Sequence, residues 1–112
     1  LGIKCLERIP EILAHQKQNA DTWQPKLLQY GLEVKEIAVL ERSTPNYWVY
    51  GFTTENKARM KQILAMEGFS SSGVHSIVSE NSVFSNRKVL KGAERFNETF
   101  LAVPTGWWFV NI

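Results

Sequence analysis

Two histidines, one cysteine and a few spaced carboxylates are the side chains through which this 112-residue chain could do chemistry. Nucleophilic catalysis needs an activated Cys, Ser or Lys beside a base. Cys5 lies in a predicted helix, far in sequence from His75, and is expected to be a buried, inert thiol. His15 and His75 lack the Cys pairs or the H-x-x-x-H spacing of a zinc site, so no metal is expected. His15 reads as a solvent-facing helix residue. Strand alternation would put Glu33 and Glu41 on one face and Glu36 on the other. They form no acid/base pair and read as solvated charges at strand edges. Gly68 and Gly73 are not followed by the Lys-Ser/Thr of a phosphate loop. Asn97-Glu98-Thr99 matches a glycosylation sequon by chance, since nothing directs the chain to a secretory pathway.

The aromatic residues admit two uses. Tyr47-Trp48-Val49-Tyr50-Gly51-Phe52 could stack bases if it lay on an exposed sheet. It lacks the basic residue and second ring of such a motif, and core packing is the expected use. Trp107-Trp108 could wall a ligand, but core or interface packing is expected there too. The cations, 13 Lys and Arg against 11 Asp and Glu, are spread from Lys4 to Arg95 without a tract. Nucleic acid is therefore not an expected partner. A single cysteine excludes an intrachain disulfide. No charged and apolar leader pattern is present, so a cytoplasmic location is expected. No apolar run approaches the roughly 20 residues of a membrane span. With 44% apolar residues, the chain can bury its own core.

These side chains must be positioned by local elements. From Ile3 to Tyr30, Leu6, Ile9, Leu13, Ala20, Trp23, Leu27 and Tyr30 recur at helical steps, predicting one long helix. Pro10 suits an early helical position, Pro25 predicts a kink or restart, and Gly31 a stop. Val34 to Leu40 reads as a strand, and Tyr47 to Phe52 as a central strand covered on both faces. Thr54 is a predicted N-cap for a helix carrying Met60, Ile63 and Leu64 and stopping at Gly68-Phe69. Phe69 to His75 should be another strand. A loop over 76–88, a short helix from Gly92 to Glu98 and a buried strand from Phe100 to Pro104 complete the reading.

The aromatic strand Tyr47-Trp48-Val49-Tyr50, the helix ending at Gly68-Phe69, Ser72-Gly73-Val74-His75, Ser82-Val83-Phe84 and Leu101-Ala102-Val103-Pro104-Thr105-Gly106-Trp107-Trp108 occur in that order. Together they resemble the C-terminal small domain of the DegT/DnrJ/EryC1/StrS family, the pyridoxal-phosphate (PLP)-dependent sugar-nucleotide aminotransferases. The first helix is similar to the family's helix joining large and small domains, so the resemblance covers nearly the whole chain. It implies an α+β fold of the aspartate-aminotransferase type. A long connecting helix over 1–31 would precede a small domain over 32–112, with a mostly antiparallel sheet packed by one main helix.

In that family the Schiff-base lysine and the groups holding PLP belong to the large domain. The resemblance therefore implies a chain that binds no cofactor and is not an enzyme on its own. A related subset follows Val-His with x-Arg-Asn-Asp, whereas this chain has Ser76-Ile77-Val78-Ser79, so Ile77 replaces a potential anion partner. The expected function is a stand-alone or truncated aminotransferase small domain acting in binding or association. Trp23, Trp107 and Trp108 are its expected interface residues, and its partner is another copy or a missing large domain. The alternative is a module binding a nucleotide-sugar-like small molecule, with His75 and Ser72 as its substrate-binding residues.

Overall fold

Pro10 sets where the first helix breaks. The computed structural model describes residues 2–84 and 89–109. In it α1 (Gly2–Glu7) gives way to α2 (Ile9–Leu28) at Arg8. A proline has no N–H, and its ring crowds the carbonyl four residues back, here that of Leu6. The ladder tightens instead: the Arg8 N–H bonds the Cys5 carbonyl at 3.2 Å, and the Ile12 N–H resumes with Arg8 at 3.0 Å. The single predicted helix is thus two in close succession. Pro25, by contrast, lies inside α2 without ending it. Trp23 and Leu27, on either side of it, are both fully buried, so packing outweighs the lost hydrogen bond. Gly31 follows at φ 67°, the left-handed stop the sequence predicts.

Among the described residues three strands form one antiparallel sheet in the order β1-β2-β3. They are β1 (Lys35–Glu36), β2 (Val49–Thr53) and β3 (Phe100–Pro104). Tyr50 stands opposite Val103 and Phe52 opposite Leu101. The strand predicted over Val34 to Leu40 keeps only its two β1 residues in the ladder. The strand predicted from Phe69 to His75 shrinks to one bridge between Ser72 and Ala102. Val74, at φ 63°, turns the chain off the ladder immediately afterwards.

Helix α3 (Lys57–Met66) starts later than Thr54 predicts. Thr54 is buried, and its N–H donates to the Thr99 carbonyl at 3.0 Å. Glu55 pairs with Arg95 instead of the helix end. The far end is as predicted. Gly68, at φ 86°, lets its own N–H reach Ala65 and that of Phe69 reach Leu64 at 2.8 Å. Phe69 then meets Trp23 edge-on, 4.9 Å between centroids. A 3-10 turn (Val78–Glu80) and α4 (Lys91–Thr99) complete the order.

The core joins Ala20, Trp23 and Leu27 of α2, Tyr50 and Phe52 of β2, Met60 and Leu64 of α3, and Leu101 and Val103 of β3. This is the α+β arrangement expected: a long helix, an antiparallel sheet and a packing helix. The cover over β2 is one-sided. Tyr50 and Phe52 are buried, whereas Val49, Gly51 and Thr53 are half-buried on the opposite face. Among the described residues no helix is long and apolar enough to cross a membrane.

Candidate functional site

The open face of β2 is built on aromatic rings. Phe96 of α4 and Phe100 of β3 stack with centroids 4.5 Å apart and planes 19° from parallel. Gly51 makes room for them, since a Cβ there would lie 2.8 Å from the Phe100 ring. Two clefts share Trp48, Val49, Phe96 and Phe100 as walls. One, of about 590 Å³, opens toward residues 73–79 and Asn97. The other, of about 630 Å³, opens toward residues 36–40 and 43–47. Trp48 at their border is 58% exposed.

His75 lines the first cleft and is exposed. A tight turn presents it. The Ser72 hydroxyl accepts from the Val74 N–H at 3.1 Å, and the His75 N–H donates to the Gly73 carbonyl at 2.7 Å. Between them Val74 holds a left-handed conformation that costs a β-branched residue about 1–2 kcal/mol. Ser72 is not part of the cleft wall. It spends its hydroxyl on this turn and its backbone on Ala102, at 3.1 and 2.8 Å. The structure thus brings His75 to a cleft and uses Ser72 to shape the approach. Ile77 is part of the same wall, so the position of the potential anion partner is apolar here.

PLP requires an amine for its aldehyde and donors for its phosphate. Among the described residues, no lysine or arginine lines either cleft. Lys57, beside Gly73, donates its ammonium to the Asn97 carbonyl. With no lysine in their walls, these two clefts do not fit the cofactor's aldehyde, although Ser76, Ser79 and Asn97 in one and Ser43 and Thr44 in the other could donate to a phosphate. No group of three or more His, Cys, Asp or Glu among the described residues could hold a metal ion.

The second expected site was the tryptophan surface, and it divides. Trp23 is fully buried, with its indole N–H donating to the Pro104 carbonyl at 2.8 Å. It is a core residue and presents nothing to a partner, because its stripe position faces the chain's own sheet. Trp107 and Trp108 are at the surface, edge to face at 5.9 Å. The Arg8 guanidinium lies 5.3 Å over the Trp107 ring. Gly106 permits this fold-back, since a Cβ there would fall 2.4 Å from Trp108.

Sequence reasoning missed the residue that pins this end. Asn19 is buried on α2 and its amide nitrogen faces the carbonyls of Thr105, Gly106 and Phe109, at 3.3, 2.9 and 3.3 Å. Its signal was an amide one position before Ala20 on an otherwise apolar stripe. The Thr105 hydroxyl meanwhile donates to the Tyr47 carbonyl. Two other expectations are corrected. Cys5 is exposed, because α1 extends past the core. Glu36 accepts a hydrogen bond from the Tyr50 hydroxyl and is not simply a solvated charge. Burial, with that bond, pushes the Tyr50 phenol above its ordinary range.

No protein-family model and no curated protein matches the chain. Solved structures do. A sugar aminotransferase from Micromonospora echinospora superposes with a TM-score of 0.83 at 26% identity, over 99% of this chain. A DegT DnrJ EryC1 StrS aminotransferase from Brucella abortus gives 0.77 at 16% identity, over 97%. The fold is that of the DegT/DnrJ/EryC1/StrS-type sugar aminotransferases. The chain spans about 30% of the length of either of these aminotransferases. A Streptococcus pneumoniae protein described as a sugar aminotransferase, solved in PLP and PMP forms, also shares the fold. Its PLP form has a TM-score of 0.72 at 18% identity, over 94% of this chain and 29% of that one.

Proposed function

We propose that this chain is a small-domain unit of the sugar-aminotransferase type, non-catalytic by itself, whose role is association. The observation that carries this is a fold matched over 99% of the chain to about 30% of an aminotransferase, with two clefts on the open sheet face that have no lysine or arginine in their walls. The exposed indoles of Trp107 and Trp108 and the exposed apolar residues of α1 support association. A division at residue 31 and a cytoplasmic location belong to the same reading. Titrating the protein with PLP and scanning for a protein-bound absorbance band tests it. No saturable band is expected, and a saturable one contradicts it.

A second reading is favoured by the cleft beside His75, which is large enough for a small molecule. There the chain would bind a nucleotide-sugar-like ligand, and His75→Ala would abolish the binding. Melting temperatures measured across a panel of nucleotide sugars decide it. A rise for the wild type that vanishes in His75→Ala supports the reading, and no rise removes it.

A further inference from the structure

Helix α4 walls the cleft beside His75, yet little in its own sequence holds it there. It has nine residues, where a helix shorter than about 12–15 is marginal in water without tertiary packing. Gly92 lowers its propensity further, and Leu90 supplies no side-chain cap. Thr99, its last residue, is its only buried one. Ala93, Phe96 and Asn97 line the cleft and do not join the core.

The ties that hold α4 are gathered at one end. The Thr54 N–H donates to the Thr99 carbonyl at 3.0 Å, and Glu55 pairs with Arg95. The Lys57 ammonium donates to the Asn97 carbonyl, and the Phe96 ring stacks on Phe100. Among the described residues, no side-chain hydrogen bond or ion pair ties α4 to the body before Arg95. Lys57 is the decisive residue. It is the first residue of α3, where the positive helix end disfavours a cation. Its ammonium crosses instead to the last turn of α4, where carbonyls lack helical partners and the negative end favours a cation. A charge set against its own helix is accounted for by what it does for the other one.

We propose that α4 is a hinged flap over the cleft beside His75, with its hinge at the Thr99–Phe100 junction and Lys57 as its clasp. At that junction the helix passes directly into β3, and Phe100 is already extended at φ -73° and ψ 133°. Opening withdraws Ala93, Phe96 and Asn97 from the cleft. It leaves β2, β3 and α3 in place, because no residue of α4 belongs to the core. Few buried contacts and one-ended ties put this opening far below global unfolding in free energy. The flap goes beyond the association reading and needs no ligand in the cleft.

Hydrogen exchange of the full chain, read by mass spectrometry, tests this. Peptides from α4 should exchange about 100-fold or more faster than those from α3 and β2. Lys57→Met removes the clasp and improves the charge at the start of α3. It should speed α4 exchange about fivefold and leave α3 exchange unchanged or slower. Gly92→Ala acts the other way. Nothing outside its own helix lies within 4 Å of a Cβ there, so alanine adds helix propensity and no contact. It should slow α4 exchange about threefold. The proposal is overturned by an α4 that exchanges only together with the core. It is overturned equally by a Lys57→Met variant that speeds both helices alike or neither, or by a Gly92→Ala variant that does not slow α4. None of these outcomes bears on the PLP titration, so the small-domain reading stands or fails separately.

Discussion

Single side chains carry much of the order at the tryptophan end, and Asn19 carries most. Its amide is the buried donor for three backbone carbonyls between Thr105 and Phe109. Asn19→Ala leaves those carbonyls short of a partner, which costs about 1–3 kcal/mol. We expect a lower urea midpoint with an unchanged slope, and increased exposure of Trp107 to a collisional quencher. A second residue-scale effect is visible in pH. The Glu67 carboxylate accepts from the Tyr30 hydroxyl at 2.7 Å and pairs with Lys26 at 3.2 Å. The Tyr30 hydrogen bond first, then Lys26, hold Glu67 below the ordinary carboxylate range. A carboxyl lowered on folding stabilises the protein above its unfolded pKa, and the effect disappears as pH falls through the folded value. Tyr30→Phe should therefore flatten the acid limb of the melting-temperature profile below about pH 4.3, the ordinary glutamate value. At the alkaline end, burial and Glu67 hold the Tyr30 phenol above its ordinary range, so the variant also removes a loss of stability as pH rises. An unchanged profile at both ends would contradict this.

At the scale of elements, the helix stops at Gly31 and Gly68 were legible, whereas the break at Arg8 and the strand lengths were not. Gly68 and Phe69 announce the end of α3 because one residue must be left-handed and the next must fold back. Gly68→Ala forces a Cβ into φ 86° and should cost about 1 kcal/mol, read as a lower melting temperature with an unchanged circular dichroism spectrum. A variant as stable as the wild type would refute this. The amphipathic spacing of α2 and the β-branched and aromatic run of β2 were equally readable. By contrast, Val34 to Leu40 has the composition of a full strand but keeps two residues in the ladder. Composition records compatibility with a strand, whereas partner availability decides its length. The left-handed turn at Val74 was invisible, because β-branched residues rarely adopt it and no local pattern announces it. That turn presents His75 to the cleft and withdraws Ser72 from it. The candidate site was therefore legible as a neighbourhood in sequence and illegible in its geometry. The failure of Trp23 as an interface residue has the same origin. Periodicity gives one stripe on the helix, and only the folded sheet shows which part is covered.

For the molecule as a whole, one core unites the long helix, the sheet and α3. Around that core lie two apolar surfaces of different character. The open side of the sheet holds two aromatic clefts, and α1 exposes Ile3 and Leu6. Neither cleft has a lysine in its wall to supply the amine on which an aminotransferase depends, although the fold is theirs. Mass spectrometry of the intact chain, after incubation with excess PLP, borohydride reduction and desalting, decides whether that is so. The account predicts an unmodified mass, with at most a scatter of substoichiometric surface-lysine adducts that an acetylated control reproduces. One stoichiometric adduct on a single lysine would show that these residues do grip the coenzyme, and would contradict it.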